Sequence, residues 1–330
     1  MKIFTQQKYL FPLVLAAGIA VLLSISDRDP IHHKESSERL EHNFYECLEG
    51  IANHTYDAPY VYRILIPTSI TFIHHIVPSV DGLTIDFAFT VIFLWLCQIA
   101  FFSYLRLFFK PTESFLGVVL LDVLLGCSLV QMQGPTLIET ADILNLLVFV
   151  VAFKLIYLNH FKSFCIILIF GTLNRETTLF LPLVLLIVNG INRKSLYQTL
   201  IALLAVAIPY FALHLLIHPP VSNWVTFDAI SLNVPFLDRS KIFRVFIANI
   251  HLLILLGPLA LIAFYKFPNH PIFLKSVSFI VPPFIVLHYI VGAIIEARLW
   301  MPMYIILIPL AVDTLVTIFQ EEPSIPNILT

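Results

Sequence analysis

An arginine and a glutamate stand side by side at Asn174-Arg175-Glu176-Thr177, in the middle of an apolar stretch at 163–190. A charge at that depth costs about 2.5–3.5 kcal/mol in a bilayer unless it faces a cavity or a partner. The forked donor set of Arg175 suits a phosphate or a carboxylate. If a helix begins at 177, Asn174 is placed to cap it and Glu176 lies at its positive end. The other reading is an ion pair that locks a helix break.

Further polar positions share this character. Glu139 and Asp142, three apart, lie on one helix face. Asp142 is either a partner for Arg63 or Arg175, or a catalytic carboxylate. Glu296 and Arg298 join two apolar runs, as a tight turn with snorkelled charges or as a second half-site for an anionic head group. Arg63, in Tyr60-Val61-Tyr62-Arg63, follows a polar segment and suits a lipid phosphate or a plain interfacial anchor. A general base needs only one carboxylate near an acceptor hydroxyl. Asp27 and Asp29, directly after the first apolar run, are the foremost candidates; most other carboxylates of 27–60 are solvated charges.

Other chemistries lack their residues. The adjacent pairs His32-His33 and His74-His75 diverge on any regular element, and no HExxH or Cys/His ligand spacing is present. We therefore expect no metal site. A divalent cation is compatible with the pattern but not indicated, and neither a phosphate-binding glycine loop nor a dinucleotide fingerprint occurs. Cys97, Cys127 and Cys165 fall in apolar runs, and Cys47 stands alone in a polar segment. No cofactor is expected.

The elements that must position these residues are membrane helices. The chain has 330 residues, 59% hydrophobic and 12% charged, against about 25% charged in a soluble domain. Mean hydropathy is +0.91, so the solvent is lipid. The net charge of −2 offers no basic field for nucleic acid. Apolar runs at 9–26, 84–108, 114–131, 138–158, 198–217, 246–265, 275–296 and 299–319 predict eight full spans. The first reads as an uncleaved span. The stretch 163–190 reads as one tilted span or as a re-entrant pair of half-helices, and 61–79 as a span or an interfacial segment; the distribution of basic loops favours the second reading of each. The class is an all-α polytopic transmembrane helix bundle forming one domain, 1–330. It has a first outer loop at 27–60 carrying short amphipathic helices, and a second at 218–243.

This arrangement places Lys2, Lys8, Arg106, Lys110, Lys154, Lys162, Arg193, Lys194, Lys266 and Lys275 on the cytoplasmic side with both termini, as short basic loops require. The carboxylates and arginines named above then gather on the opposite face.

The order Tyr62-Arg63-Ile64-Leu65-Ile66-Pro67, Asp142, Asn174-Arg175-Glu176-Thr177 and Glu296-Ala297-Arg298 resembles bacterial polytopic relatives of the GT-C membrane glycosyltransferases. The resemblance implies transfer of a sugar from a polyprenyl-phosphate-linked donor at the non-cytoplasmic face of the bacterial inner membrane, in cell-envelope polysaccharide assembly. It implies Asp27 or Asp29 as base and Arg63, Arg175 and Arg298 as phosphate-binding residues. Glu176 and Glu296 orient those arginines, with Glu139, Asp142 and Asn174 as structural partners. Asp27-Arg28-Asp29-Pro30 departs from the family's Asp-Tyr pattern, and the large soluble domain of many members is missing. A transporter or flippase for lipid-linked or anionic solutes, and a non-catalytic membrane subunit, are the rival expectations.

Overall fold

The computed structural model describes residues 34–56, 60–129, 136–218, 242–291 and 296–320. Asp27, Asp29, the first apolar run and nearly all of the second outer loop lie outside them. The described residues form helices and no strands.

The chain begins with α1 (Lys34–Ala52), followed by a short 3₁₀ turn at Tyr60–Tyr62 and α2 (Leu65–Ile76). Next come three long helices: α3 (Gly82–Leu105), α4 (Pro111–Leu129) and α5 (Thr136–Tyr157). A broken pair follows, α6 (Phe161–Asn174) and α7 (Leu181–Asn189), joined by a 3₁₀ segment at Glu176–Phe180. The rest comprises α8 (Arg193–Leu216), α9 (Ile242–Phe264), α10 (Ile272–Ser278), α11 (Val281–Val291) and α12 (Met301–Gln320), with a 3₁₀ turn at Ala297–Trp300.

Local signals set the boundaries. Asp81 caps α3 by accepting from the Thr84 N–H at 2.8 Å, and Asn192 caps α8 by accepting from the Ser195 N–H at 2.9 Å. Pro111 occupies the first position of α4, where its missing N–H is no loss. Gly190 ends α7 with φ 69°, a conformation that a Cβ disfavours.

Six helical stretches among the described residues are long and apolar enough to cross a membrane, not the eight expected. They are Gly82–Leu105, Pro111–Ser128, Leu137–Tyr157, Arg193–Leu216, Ile272–Ile290 and Ala297–Gln320. The expected run at 9–26 lies outside the described residues, and α9 contributes a shorter apolar stretch, Asn249–Phe264. The 12 residues of α2 rise only about 18 Å, short of a bilayer core of about 30 Å. Large apolar side chains such as Ile208, Leu215, Leu253 and Leu261 are exposed, as lipid contact requires. The protein is an integral membrane protein.

Helices α5 and α12 form the centre. Almost every side chain of α12 from Met301 to Val312 is buried, whereas α8 shows most of its surface to lipid. Hydrogen bonds between spans supplement apolar packing, since lipid competes for none of them. Thr90 of α3 and Thr140 of α5 pair at 2.6 Å, Gln98 donates to Asp122 at 2.7 Å, and Ser128 pairs with Tyr304 at 2.6 Å.

Within the segment expected to form the first outer loop, the described residues 34–56 fold differently from expectation. Instead of short helices they form one of 19 residues, α1. Phe44, Cys47, Leu48 and Ile51 recur at the spacing of one helix face and are buried. They pack on Ile66 and Ile70 of α2, Ile85 of α3, and Leu137 and Ala141 of α5. This helix therefore lies across the ends of the spans at the pole that carries Asp142.

Candidate functional site

The junction between α6 and α7 supplies the first arginine. Arg175 leaves the helix with extended geometry, φ −159° and ψ 139°, while its N–H still donates to Gly171 at 2.7 Å. The arm then turns back: Phe180 packs against Phe284 and His288 of α11, and α7 goes on to meet α10. Fourteen residues of α6 rise about 21 Å, less than a bilayer core of about 30 Å, so the helix breaks before it is long enough to cross one. The expected cap does not form. Arg175 holds the N-cap position of the 3₁₀ segment with no side-chain cap, and Asn174 instead donates to the Ala141 carbonyl at 2.7 Å. The physical reason is the extended turn at Arg175, which leaves Asn174 as the last residue of α6, facing α5.

That hydrogen bond brings Asp142 to the break. Arg175 and Asp142 form an ion pair in which both side chains are buried. Arg298, from the turn that opens the last span, approaches the other Asp142 oxygen at 3.4 Å. It also holds Glu296 at 2.8 Å and reaches the Tyr60 hydroxyl at 3.4 Å. Arg63 joins Glu176 at 2.8 Å and lies over the Tyr60 ring at 4.8 Å. One network thus unites Arg63, Arg175 and Arg298 with Asp142, Glu176 and Glu296. Of the two partners considered for Asp142, Arg175 is the one it takes; Arg63 goes to Glu176.

The arginines have donors to spare. Arg63 Nε and Nη1, Arg175 Nε and Arg298 Nη1 are buried and have no hydrogen-bond partner among the described residues. Both Asp142 oxygens and Asn174 Oδ1 likewise carry no hydrogen bond among the described residues beyond the ion pairs already given, so the network holds unused donors and acceptors together, each costing free energy until it is met. Glu176 and Glu296 are the outward members, their side chains 31% and 32% exposed, while Asp142 is fully enclosed. Beside the network lies a recess with room for about one water. It is lined by Arg63, Thr172, Arg175 and Glu176 on one side and by Tyr62, Tyr210 and His214 on the other. Those three rings stack, with His214 3.8 Å from Tyr62 and 4.3 Å from Tyr210 between centroids.

Glu139 is also buried, one turn before Asp142 on α5. Three contributors, and one buried carboxylate nearby in the bundle, escaped the sequence reading. Tyr60 bridges two arginines, although it reads as an ordinary interfacial aromatic. Asn145 accepts from the Thr177 hydroxyl at 3.2 Å, and the spacing 139, 142, 145 on one face is a signal for it. Asp86 is fully buried near the start of α3, and one carboxylate inside an apolar run is itself conspicuous. His214 carried no signal beyond its place in an apolar span. Among the described residues no group of three His, Cys, Asp or Glu is placed to hold a metal ion.

The basic residues gather at the other pole. Chain direction puts Arg106, Lys154, Lys162, Arg193, Lys266 and Lys275 at the helix ends remote from Asp142, and Lys154 donates to Ser103 there at 2.6 Å. No family model matches the chain, and no curated protein is significantly similar to it.

Proposed function

We propose that the arginine network binds the phosphate of a lipid-linked substrate, and that the protein is a membrane glycosyltransferase-like enzyme. It would take a sugar from a polyprenyl-phosphate donor at the non-cytoplasmic face. The observation that carries this reading is the set of four unpartnered guanidinium nitrogens on three buried arginines beside two partly exposed carboxylates. A phosphate approaching from the membrane displaces Glu176 from Arg63 and Glu296 from Arg298. It then receives the forked donors that the carboxylates had kept oriented. Asp142 stays behind and keeps Arg175 and Arg298 in place. A phosphate leaving group is stabilised by fixed cations of this kind, and a base from the first outer loop, Asp27 or Asp29, would complete the chemistry.

Orientation follows from charge. The lysine-rich pole faces the cytoplasm with both termini, and the arginine network opens on the outer side of a bacterial inner membrane.

One observation favours a second reading. Each carboxylate of the network already holds an arginine, as in a scaffold whose ion pairs lock a helix break. Binding separates the two. The full-length protein is titrated with a polyprenyl phosphate and, in parallel, with the matching polyprenol. Phosphate-selective binding that is lost on Arg63→Gln and Arg298→Gln supports the substrate site. Equal affinity for the two lipids, in protein that remains folded, leaves the scaffold.

A further inference from the structure

An open apolar groove of about 610 Å³ runs along α3, α5 and α6 and is closed at one end by Leu65, Ile66 and Ser69 of α2. Phe93, Ile99, Leu147 and Ile167 are among its walls, and its one charged lining residue is Lys154, at the end remote from Asp142. From Leu144 to Lys154 the groove follows α5 for ten residues, a rise of about 15 Å. That is half of a bilayer core of about 30 Å, the depth of a single leaflet.

No carboxylate neutralises the charged end among the described residues. Lys154 donates to Ser103 at 2.6 Å. Ser103 accepts that bond, and its own proton has no acceptor among the described residues. A lysine that merely escapes the membrane extends toward water. This one is held by a hydroxyl of the neighbouring helix that also lines the groove.

We infer that the groove holds one acyl chain of an anionic membrane phospholipid, whose head-group phosphate is taken by Lys154 and Ser103. Charge complementarity selects the head group, and the one-leaflet length selects the chain. The site is separate from the arginine network and does not depend on the activity proposed for it.

The test counts retained lipid. Full-length protein in detergent is exposed to equal amounts of phosphatidylglycerol and phosphatidylcholine and examined by native mass spectrometry. The wild type retains one phosphatidylglycerol in preference to phosphatidylcholine. Lys154→Gln loses that preference by about fivefold, the worth of one cation near a lipid head group, and Lys154→Arg keeps it. Val151→Trp, which fills the groove, lowers retention of both lipids. Thermal unfolding of each variant in phosphatidylcholine alone verifies that it is folded. Equal retention of the two lipids by the wild type, or a preference that Lys154→Gln preserves, overturns the inference. So does stronger retention of a polyprenyl phosphate that Arg63→Gln abolishes, which would give the groove to the tail of a ligand bound at the arginines.

Discussion

Asp142 holds two arginines from distant parts of the chain: Arg175 on one carboxylate oxygen and, at 3.4 Å, Arg298 on the other. All three side chains are buried. Removing one member of a buried ion network leaves a charge without a counter-charge, at about 3–5 kcal/mol. Asp142→Asn is therefore expected to destabilise the protein by about that much. Asp142→Leu combined with Arg175→Met and Arg298→Met should cost less than the separate losses added together. Unfolding in detergent, measured for the single and combined variants, checks both statements.

Arg63 reaches Glu176 with one arm and covers the Tyr60 ring with its plane. Lysine keeps the charge but neither the fork nor the stacking. Arg63→Lys should weaken polyprenyl-phosphate binding about tenfold, the loss of one charge-assisted hydrogen bond. A binding isotherm for the folded variant decides it, and unchanged affinity would remove Arg63 from the ligand site.

Gly171 lets the broken pair close. A Cβ there would lie 2.8 Å from Thr178 Oγ1 and 2.8 Å from Val148 Cγ1. Gly171→Ala should cost about 1–3 kcal/mol through overpacking and disturb the Arg175 turn. Gly126 is the control. Its Cβ would meet nothing within 4 Å, so Gly126→Ala should be neutral or stabilising by up to about 1 kcal/mol. Equal losses at the two sites would contradict this packing account.

Asp81 caps α3 outside the span. Hydrogen bonds from the Thr84 hydroxyl and N–H hold its carboxyl below the ordinary value of 3.8. A depressed value in the folded state gives stability that is present above the unfolded value and lost as pH falls through the folded one. Asp81→Ala should thus cost about 1 kcal/mol at neutral pH, with the difference from wild type shrinking below pH of about 4. Paired melts across that window test the sign.

Cys47 lies on the buried face of α1, and burial pushes its thiol up to about 11. The thiolate is the nucleophile. Maleimide should therefore leave Cys47 unlabelled at pH of about 8 in the native protein and label it once the protein is unfolded. Fast labelling of the native form would show that α1 does not stay packed on α2, α3 and α5.

The sequence by itself determined the solvent and the polar cast. A chain with 12% charged residues cannot cover a globule with polar surface, so long apolar helices follow from composition and length. Charges inside those runs are too costly to be incidental, which is why Arg63, Asp142, Arg175, Glu176, Glu296 and Arg298 could be picked out one by one.

Only the tertiary structure decided who meets whom. Asp142 reads equally well as a partner for Arg63 or Arg175, because one-dimensional spacing says nothing about contact between separate helices. The choice depends on how α5 and α6 lie side by side, with Asn174 bonded to Ala141. The same holds for Tyr60, whose hydroxyl and ring meet two arginines only because the turn at Ala297–Trp300 comes beside the 3₁₀ turn at Tyr60–Tyr62. The stability of the helix break has the same origin: hydropathy measures only the apolarity of a run, whereas the break at Arg175 is held by the packing of α6 on α5, through Asn174 on Ala141 and Arg175 on Asp142.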